Sequence, residues 1–336
     1  MGKIARLVWY SVVGIVVVFA LAVTFTVGWR PFLGPRTRPA TSRTFERTPE
    51  RLARGRYIFV THACIDCHAG SDNPQISAPI ATGTPASGEV LPFPGLPGRI
   101  VASNLTADAE TGLGRWSDDE IARAIREGVS RDDRALFPMM PYRNYRSMSD
   151  EDVEALVVYL RSLPAVRHPL EPTQVAFPVK YLINSAPEPL TEPVRGPDPQ
   201  DALAVGKYLV TTVACDACHT PQVKGEAVPG MNYAGGVSFT EGQMRAASAN
   251  ITPDASGIGY YDEALFLQAM RTGQVRARKL DPLMPYQAFS NFRGSDLKAM
   301  FAYLRTLPPV RHRVDNSLPV TYCKLCRQQH GAGDQN

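Results

Sequence analysis

The sequence predicts an all-α protein in which an N-terminal transmembrane helix precedes two tandem helical domains. The first observation is an uncharged apolar stretch, residues 7–29, which is long enough to cross a bilayer. The second is the pentapeptide Cys-x-x-Cys-His, which occurs at 64–68 and again at 215–219. The third is an internal repeat, in which residues 136–168 match 280–312 without a gap.

The apolar stretch is predicted to be a membrane anchor over residues 1–30. Aromatic residues typical of a membrane interface stand near its two ends: Trp9, Tyr10 and Trp29. A cleaved signal peptide is the alternative, because Lys3 and Arg6 precede the run and residues 20–22 offer a small-residue cleavage site. The apolar run continues to Val27, which favours an uncleaved anchor.

Residues 31–47 are predicted to be a mobile tether close to lipid headgroups, with docking of an acidic partner as the alternative role. The region is rich in arginine: Arg30, Arg36, Arg38, Arg43 and Arg47. These cations outnumber those before the span, against the positive-inside tendency, but long domains cross the membrane largely regardless of charge.

The Cys-x-x-Cys-His spacing is typical of covalent haem c attachment. Two thiols three positions apart, on a turn leading into a helix, can each form a thioether with a haem vinyl group, and the adjacent histidine faces the iron. Structural zinc and a redox dithiol are the alternatives, but zinc takes four ligands and each motif supplies three. We therefore expect two covalent haems, attached through four thiols: Cys64, Cys67, Cys215 and Cys218.

Each repeat also contains a Met-Pro-Tyr loop. Met140 and Met284 occupy equivalent positions in it, and the neighbouring prolines keep the loop out of a regular helix. A thioether held on such a segment can lie against the open face of a haem, so these two residues are the predicted second axial ligands. Met139 is the local competitor in the first copy.

The repeat predicts domains at 48–168 and 200–312, a Pro-rich linker at 169–199 and a tail at 313–336. Each copy should hold a helix with a Gly-x-Tyr face before the motif, a helix ended by Gly128 or Gly273, and a last helix. Ser149 is the expected N-cap of the last helix in the first copy.

These features together resemble the class I cytochrome c family over about residues 48–168 and 200–312. More narrowly, the runs at 104–106, 112–120 and 140–142 are similar to those of the cytochrome c subunits of membrane-bound bacterial alcohol, aldehyde and gluconate dehydrogenases. Those subunits typically carry three haems, whereas this chain has two motifs.

The resemblance implies His68 and His219 as proximal iron ligands, with Met140 and Met284 as distal ones. Such six-coordinate sites pass single electrons and have no open position for substrate, so no catalytic residue is expected. Since haem c is attached outside the cytoplasmic membrane, the haem domains are expected on its periplasmic or external face.

Buried haem propionates need hydrogen-bond donors. The repeat-matched candidates are Arg99 and Arg245, with Trp116 and Tyr261 behind them; the alternative is that the arginines are solvated. Asn104 and Asn250 are predicted to hold loop backbone.

The remaining histidines are not favoured as iron ligands. His168 and His312 are matched but lie in a polar exit from each domain, and His62 is predicted to be a surface or packing residue. Cys323 and Cys326 lack a following histidine and are expected to form a disulfide or a free thiol pair. His330 could join Cys323 and Cys326 in a metal site, but three ligands are weak support for such a site.

The predicted function is a membrane-anchored dihaem cytochrome that transfers single electrons in a respiratory or periplasmic oxidation chain, as a free carrier or as a dehydrogenase subunit. Its partners would be the membrane and a dehydrogenase, a quinol-oxidising complex or a terminal oxidase. A dihaem peroxidase-like enzyme is the alternative. Nucleic-acid binding has no support, because basic residues are interspersed with acidic ones and the net charge is only +4.

Overall fold

The computed structural model describes residues 2–69, 85–93, 95–241 and 244–336; for 240, 241, 244 and 245 the description is limited to the backbone. The chain is mostly helical. Within these ranges twelve α-helices form: α1 Lys3–Thr26, α2 Pro49–Thr61, α3 Cys64–His68, α4 Asp118–Glu127, α5 Tyr142–Tyr145, α6 Asp150–Ser162, α7 Val179–Leu182, α8 Ala202–Thr212, α9 Cys215–His219, α10 Glu263–Thr272, α11 Tyr286–Phe289 and α12 Gly294–Leu304. Short 3₁₀ turns occur at Arg30–Leu33, Ile183–Ser185 and Gly333–Gln335.

Short antiparallel ladders accompany the helices, so the expectation of an all-α fold was too narrow. The strands are β1 Glu89–Val90, β2 Gly98–Arg99, β3 Val101–Ala102, β4 Gln174–Val175, β5 Gln222–Val223, β6 Glu226–Ala227, β7 Ser238–Glu241, β8 Met244–Ala247, β9 Gln274–Val275, β10 Arg278–Lys279, β11 Val320–Tyr322 and β12 Gln329–Gly331. They pair as β1–β3, β2–β4, β5–β6, β7–β8, β9–β10 and β11–β12. They lie in long connections and in the tail, where extended backbone needs partners for its polar groups.

Helix α1 is long and apolar enough to cross a membrane, with a mean hydropathy of 2.4 over its most apolar window. Its side chains are almost all exposed, unlike those of a core helix. The same length and composition near an N-terminus also fit a signal sequence.

The region predicted to be a mobile tether instead packs against the helices that follow it. Arg38 makes a bidentate ion pair with Asp119, at 2.7 and 2.8 Å, and a second ion pair with Glu127 at 2.9 Å. The side chain of Phe45 is buried in the core, and its backbone N–H donates to Asp118 at 2.8 Å. The prediction was wrong because arginines near a membrane anchor suggested contacts with lipid. Their actual partners are carboxylates that lie far away in the sequence, so the ion pairs could not be read from the local pattern.

Two helix pairs form the centre of the fold, α2 against α6 and α8 against α12. The crossing is close in both pairs because a glycine lies at it. A Cβ atom on Gly55 would lie 1.9 Å from the carbonyl oxygen of Ala155, and one on Gly206 would lie 2.0 Å from that of Ala299. The glycine of the Gly-x-Tyr pattern predicted from the repeat therefore lies at the helix crossing in both pairs.

Each helix pair carries its own hydrophobic cluster. Large buried members of the first are Phe45, Ile58, Phe59, Ile121, Met148, Leu156 and Val157. Large buried members of the second are Leu209, Phe266, Met270, Phe289, Phe292, Leu297 and Met300. Met140 packs against the first cluster and Met284 against the second.

The predicted helix ends are confirmed. Ser149 caps α6 by accepting from the backbone N–H of Asp152 at 3.1 Å. Gly128 and Gly273 end α4 and α10 with φ of 70° and 68°, a left-handed conformation that glycine adopts at little cost.

The Pro-rich segment 169–199 was expected to be extended, but it also contains α7 and the 3₁₀ turn Ile183–Ser185, and it contacts the first half of the chain. Strand β4 within it pairs with β2, and the carbonyl of Val194 accepts from the N–H of Asp150 at 2.9 Å. Asn184 also donates to the carbonyl of Pro31 at 2.8 Å, which joins this segment to the chain just after α1.

Candidate haem sites

Both Cys-x-x-Cys-His motifs form single helical turns, α3 and α9, directly after longer helices. The residue before each turn, Ala63 or Ala214, has a left-handed backbone with φ of 54° or 58°. This conformation is disfavoured for a residue with a Cβ and reverses the chain sharply. The two copies therefore present their motifs through the same strained turn.

The imidazoles of His68 and His219 are held in the same way. Nδ1 of His68 donates to the carbonyl of Ser103 at 2.7 Å, and Nδ1 of His219 donates to that of Ala249 at 2.7 Å. Since a carbonyl can only accept, Nδ1 carries the proton and Nε2 keeps its lone pair for a metal. Burial lowers the pKa of both imidazoles, which also favours the neutral, ligating form.

None of the four motif cysteines forms a disulfide. Burial raises the pKa of Cys64, Cys67 and Cys215 to about 12 and that of Cys218 to about 11. In the described part of the chain, neither motif gathers three metal-ligating side chains around one point. The arrangement thus suits thioether formation better than a zinc site or a reactive thiolate.

The two Met-Pro-Tyr loops have the same backbone conformation. The N–H of Met140 donates to the carbonyl of Phe137 at 3.2 Å, and that of Met284 donates to Asp281 at 3.0 Å. Met140 packs against the core, whereas the competitor Met139 is 37% exposed. These contacts favour Met140 over Met139 as the residue directed into the fold.

The four propionate candidates lie in different settings. Arg99, in β2, contacts Glu171 at 3.4 Å and the carbonyl of Pro172 at 3.3 Å, and its Nε has no partner among the described residues. Arg245 lies in β8, but its side chain is outside the described residues. Trp116 and Tyr261 are half-buried against the first and second core clusters respectively.

Asn104 and Asn250 hold loop backbone as predicted. Each accepts from the N–H two residues later at 2.9 Å. Each also donates at 2.8 Å to a carbonyl that follows the last helix of its copy, Val166 or Val310. The loop after each motif is thus joined to the exit from each helix pair.

The two attachment turns lie beside one another. Nε2 of His62, two residues before the first motif, is 3.2 Å from Oγ1 of Thr212 at the end of α8. Asn144, which follows the first Met loop, donates at 2.6 Å to Asp216 inside the second motif. Residues that flank the first site therefore contact the second motif and the helix that precedes it.

A reciprocal pair of contacts, not foreseen from the sequence, joins the two halves. The hydroxyl of Tyr208 donates to Asp152 at 2.6 Å, and that of Tyr57 donates to Asp296. The tyrosines are repeat equivalents of each other, and so are the aspartates. Their matched positions were a signal that could have marked them as an interface.

Comparison with known proteins finds a matching family model and several similar proteins. Residues 52–164 match the family model described as cytochrome c. The chain is 33% identical to a nicotinate dehydrogenase subunit of Pseudomonas putida, over 83% of this chain and 23% of the relative. It is 27% identical to the alcohol dehydrogenase (quinone) cytochrome c subunit of Gluconacetobacter polyoxogenes, over 81% of this chain and 59% of the relative.

A further relative is similar in extent to this chain. The dihaem cytochrome c-type protein of Cereibacter sphaeroides is 27% identical over 82% of this chain and 92% of its own length. By contrast, the chain spans only 23% and 59% of the two dehydrogenase subunits above.

Proposed function

We propose that this chain, which matches the cytochrome c family model over residues 52–164 and carries two covalently bound haem c groups, is a membrane-anchored electron relay that serves a dehydrogenase. Two of its relatives are named as cytochrome subunits of dehydrogenases. The proposal extends this role to the present chain and assigns the residues that perform it.

The first haem would be held by Cys64 and Cys67 through thioethers, with His68 and Met140 as axial ligands. The second would be held in the same way by Cys215, Cys218, His219 and Met284. A haem with two protein ligands supplies one-electron oxidation and reduction, with no free position for substrate.

The observation that carries the proposal is the matched pair of Nδ1–carbonyl hydrogen bonds at His68 and His219, both 2.7 Å long. Each bond fixes the tautomer and orients Nε2, as is required of a histidine that ligates a metal. His168 makes a similar Nδ1 contact without a preceding Cys-x-x-Cys, so the bond supports haem ligation because it occurs at the histidine of each motif.

The contacts between the two attachment turns support a relay. The hydrogen bond from Asn144 to Asp216 and the approach of His62 to Thr212 keep the two motifs adjacent. An electron that enters at one site can thus reach the other within the same chain. We assign these residues the role of holding the two sites together.

Membrane attachment is supported by the surroundings of α1. Just after the helix, the rings of Phe32 and Tyr181 lie 5.4 Å apart, and Phe177 nearby is 76% exposed. Aromatic side chains of this kind are enriched where a protein meets a membrane interface. We propose an uncleaved single-pass anchor, with the bulk of the chain on the periplasmic or external face.

The domain division 1–30, 31–47, 48–168, 169–199, 200–312 and 313–336 is part of the same proposal. Two hydrophobic clusters built from equivalent helices support two haem domains. The segment 31–47 packs against the first haem domain through Arg38 and Phe45.

The test is purification from the native membrane in mild detergent, followed by reduction assays with alcohols, aldehydes, sugars and quinols. Co-purification of a dehydrogenase at a fixed ratio, with haem reduction driven by its substrate, would support the proposal. Isolation of the chain alone, unreactive to every dehydrogenase substrate, would contradict the dehydrogenase role. Reaction of one haem with peroxide at catalytic rates would indicate the peroxidase-like alternative instead.

A further inference from the structure

The tail after the second helix pair folds into a compact hairpin rather than a polar extension. Strands β11 and β12 pair around a turn that carries Cys323 and Cys326, both fully buried. The N–H of Cys323 donates to the carbonyl of Gln328 at 2.9 Å, and the N–H of Arg327 donates to that of Cys323 at 3.0 Å. This tight turn brings the two thiols to the same side of the hairpin.

Four side chains meet beneath this turn: His312, Cys323, Cys326 and His330. Their ligand atoms all lie within 4.8 Å of one another, and none of the four side chains is more than 1% exposed. The two cysteines are not joined in a disulfide. The expectation that His312 lies in a polar exit was wrong, because the hairpin folds back over it.

The hydrogen bonds of the two histidines fix where their protons are. Nδ1 of His312 donates to the carbonyl of Ala234 at 2.7 Å, and Nδ1 of His330 donates to that of Gly331 at 2.9 Å. In neutral imidazoles both Nε2 atoms are then acceptors, yet they lie only 3.1 Å apart. Two buried lone pairs that face each other repel, and a cation between them removes the conflict.

The distances agree with tetrahedral coordination. Bonds of about 2.0 Å to nitrogen and about 2.3 Å to sulfur give edges of roughly 3.3 Å between nitrogens and roughly 3.5 Å between nitrogen and sulfur. The observed separations are 3.1 Å between the two Nε2 atoms and 3.4 Å between Nε2 of His312 and Sγ of Cys323.

We propose that His312, Cys323, Cys326 and His330 bind one structural zinc ion. Two thiolates and two imidazoles are a ligand set that zinc prefers, and four protein ligands leave no position for substrate. The ion would fasten the tail to the rest of the second half, a role separate from electron transfer.

The site is linked to the second haem motif by a short chain of bonds. The loop that holds the imidazole of His312 at Ala234 continues into Gly235, whose N–H donates to the carbonyl of His219 at 2.8 Å. The next residue, Gly236, has φ of 88°, and a Cβ there would lie 2.7 Å from His312. This glycine lets the loop pass directly over His312, Cys326 and His330.

The first half of the chain provides a natural control. His168, the repeat equivalent of His312, also contacts a backbone carbonyl through Nδ1, that of Ser87 at 3.1 Å. Among the described residues it belongs to no group of three or more potential metal ligands. It has the same loop contact without the proposed metal site.

The test uses the full chain with both haems attached, purified without added metal and analysed for zinc and iron. We expect one zinc and two irons per chain, and X-ray absorption at the zinc edge should report two sulfur and two nitrogen neighbours. Cys326→Ser and His330→Ala should lose the zinc while haem content is retained, whereas His168→Ala should keep it.

Thiol labelling after denaturation with a chelator completes the test on the unaltered protein. Two reactive thiols outside the haem motifs, together with stoichiometric zinc, would support the site even if a variant failed to fold. A Cys323–Cys326 disulfide without zinc would overturn the proposal, as would a third iron in place of zinc. Full zinc occupancy in both Cys326→Ser and His330→Ala would also overturn it.

Discussion

The hydroxyl of Tyr208 in α8 donates a 2.6 Å hydrogen bond to Asp152 in α6, across the boundary between the two helix pairs. The same hydroxyl accepts from the N–H of Ser149 at 3.0 Å. Asp152 is also paired with Arg54, at 2.7 Å to each oxygen. Although burial acts to raise the pKa of Asp152, these donors hold it below its ordinary value. A charged group shared by both halves thus stabilises their relative position.

Tyr208→Phe should destabilise the folded protein by about 1.5–3 kcal/mol, because it leaves a buried carboxylate with one donor fewer. The free energy of unfolding, measured with denaturant on the haem-loaded protein, checks this. Tyr159→Phe is the matched control, since among the described residues the backbone carbonyl of Tyr159, and not its hydroxyl, takes part in a hydrogen bond with a side chain. Equal effects of the two substitutions would show that the cross-boundary bond contributes nothing.

Gly55→Ala and Gly206→Ala should each destabilise by about 1–3 kcal/mol or more, because the new methyl group would overlap a carbonyl at the helix crossing. Thermal unfolding of the purified variants measures the effect. Gly294→Ala is the control, since a Cβ there meets no heavy atom within 4 Å. Unchanged melting of Gly55→Ala would show that α2 and α6 can move apart at no cost.

Met140→Leu and Met284→Leu should each open a coordination position on one haem. Carbon monoxide added to the reduced protein should then bind one of the two haems in each variant and neither haem in the unaltered chain. Met139→Leu is the control and should behave like the unaltered protein, since Met139 is directed outward. Carbon monoxide binding by Met139→Leu alone would transfer the ligand role to that residue.

Stability should fall as the pH is lowered from about 6.5 towards 4, in part because of His62. Burial lowers the pKa of His62 to about 4, whereas its ordinary value is 6.5. Between these values the unfolded chain binds the proton and the folded one does not, so acid favours unfolding. The loss in the free energy of unfolding from this one group is about 3 kcal/mol, since each unit of pKa difference corresponds to roughly 1.4 kcal/mol.

Denaturant unfolding from pH 7 to pH 4 measures this dependence, and His62→Gln is the comparison. The variant should have a flatter profile over this range, since glutamine can contact Thr212 without titrating. Parallel profiles for the two proteins would assign the acid sensitivity to other groups.

Local chemistry was readable from the sequence wherever a single short segment contains all the atoms involved. The Cys-x-x-Cys-His turns, the Ser149 cap and the glycines that end α4 and α10 depend on contacts within a few residues. The internal repeat allowed further predictions, because residues that recur at equivalent positions of the two copies are expected to have the same role. It correctly assigned the loop role of Asn104 and Asn250.

The zinc ligands illustrate the opposite case. His312 is separated from Cys323 by a proline-containing segment, and only the fold of the hairpin places Nε2 of His312 3.4 Å from that thiol. From the sequence alone, His312 was predicted to lie in a polar exit from its domain, and Cys323 and Cys326 were interpreted as a haem motif without its histidine. Arg38 was misread for a similar reason, since its partners Asp119 and Glu127 lie about 80 to 90 positions away.

The sequence by itself determined the number of haems, the elements that carry the attachment turns and the apolar N-terminal helix, because these depend on residue type and short-range spacing. Tertiary structure decided how the two halves meet, which carboxylates pair with the N-terminal arginines, and which four side chains gather under the tail. Such contacts depend on the three-dimensional path of the chain between distant residues, and that path is set by packing of the whole fold rather than by any local pattern.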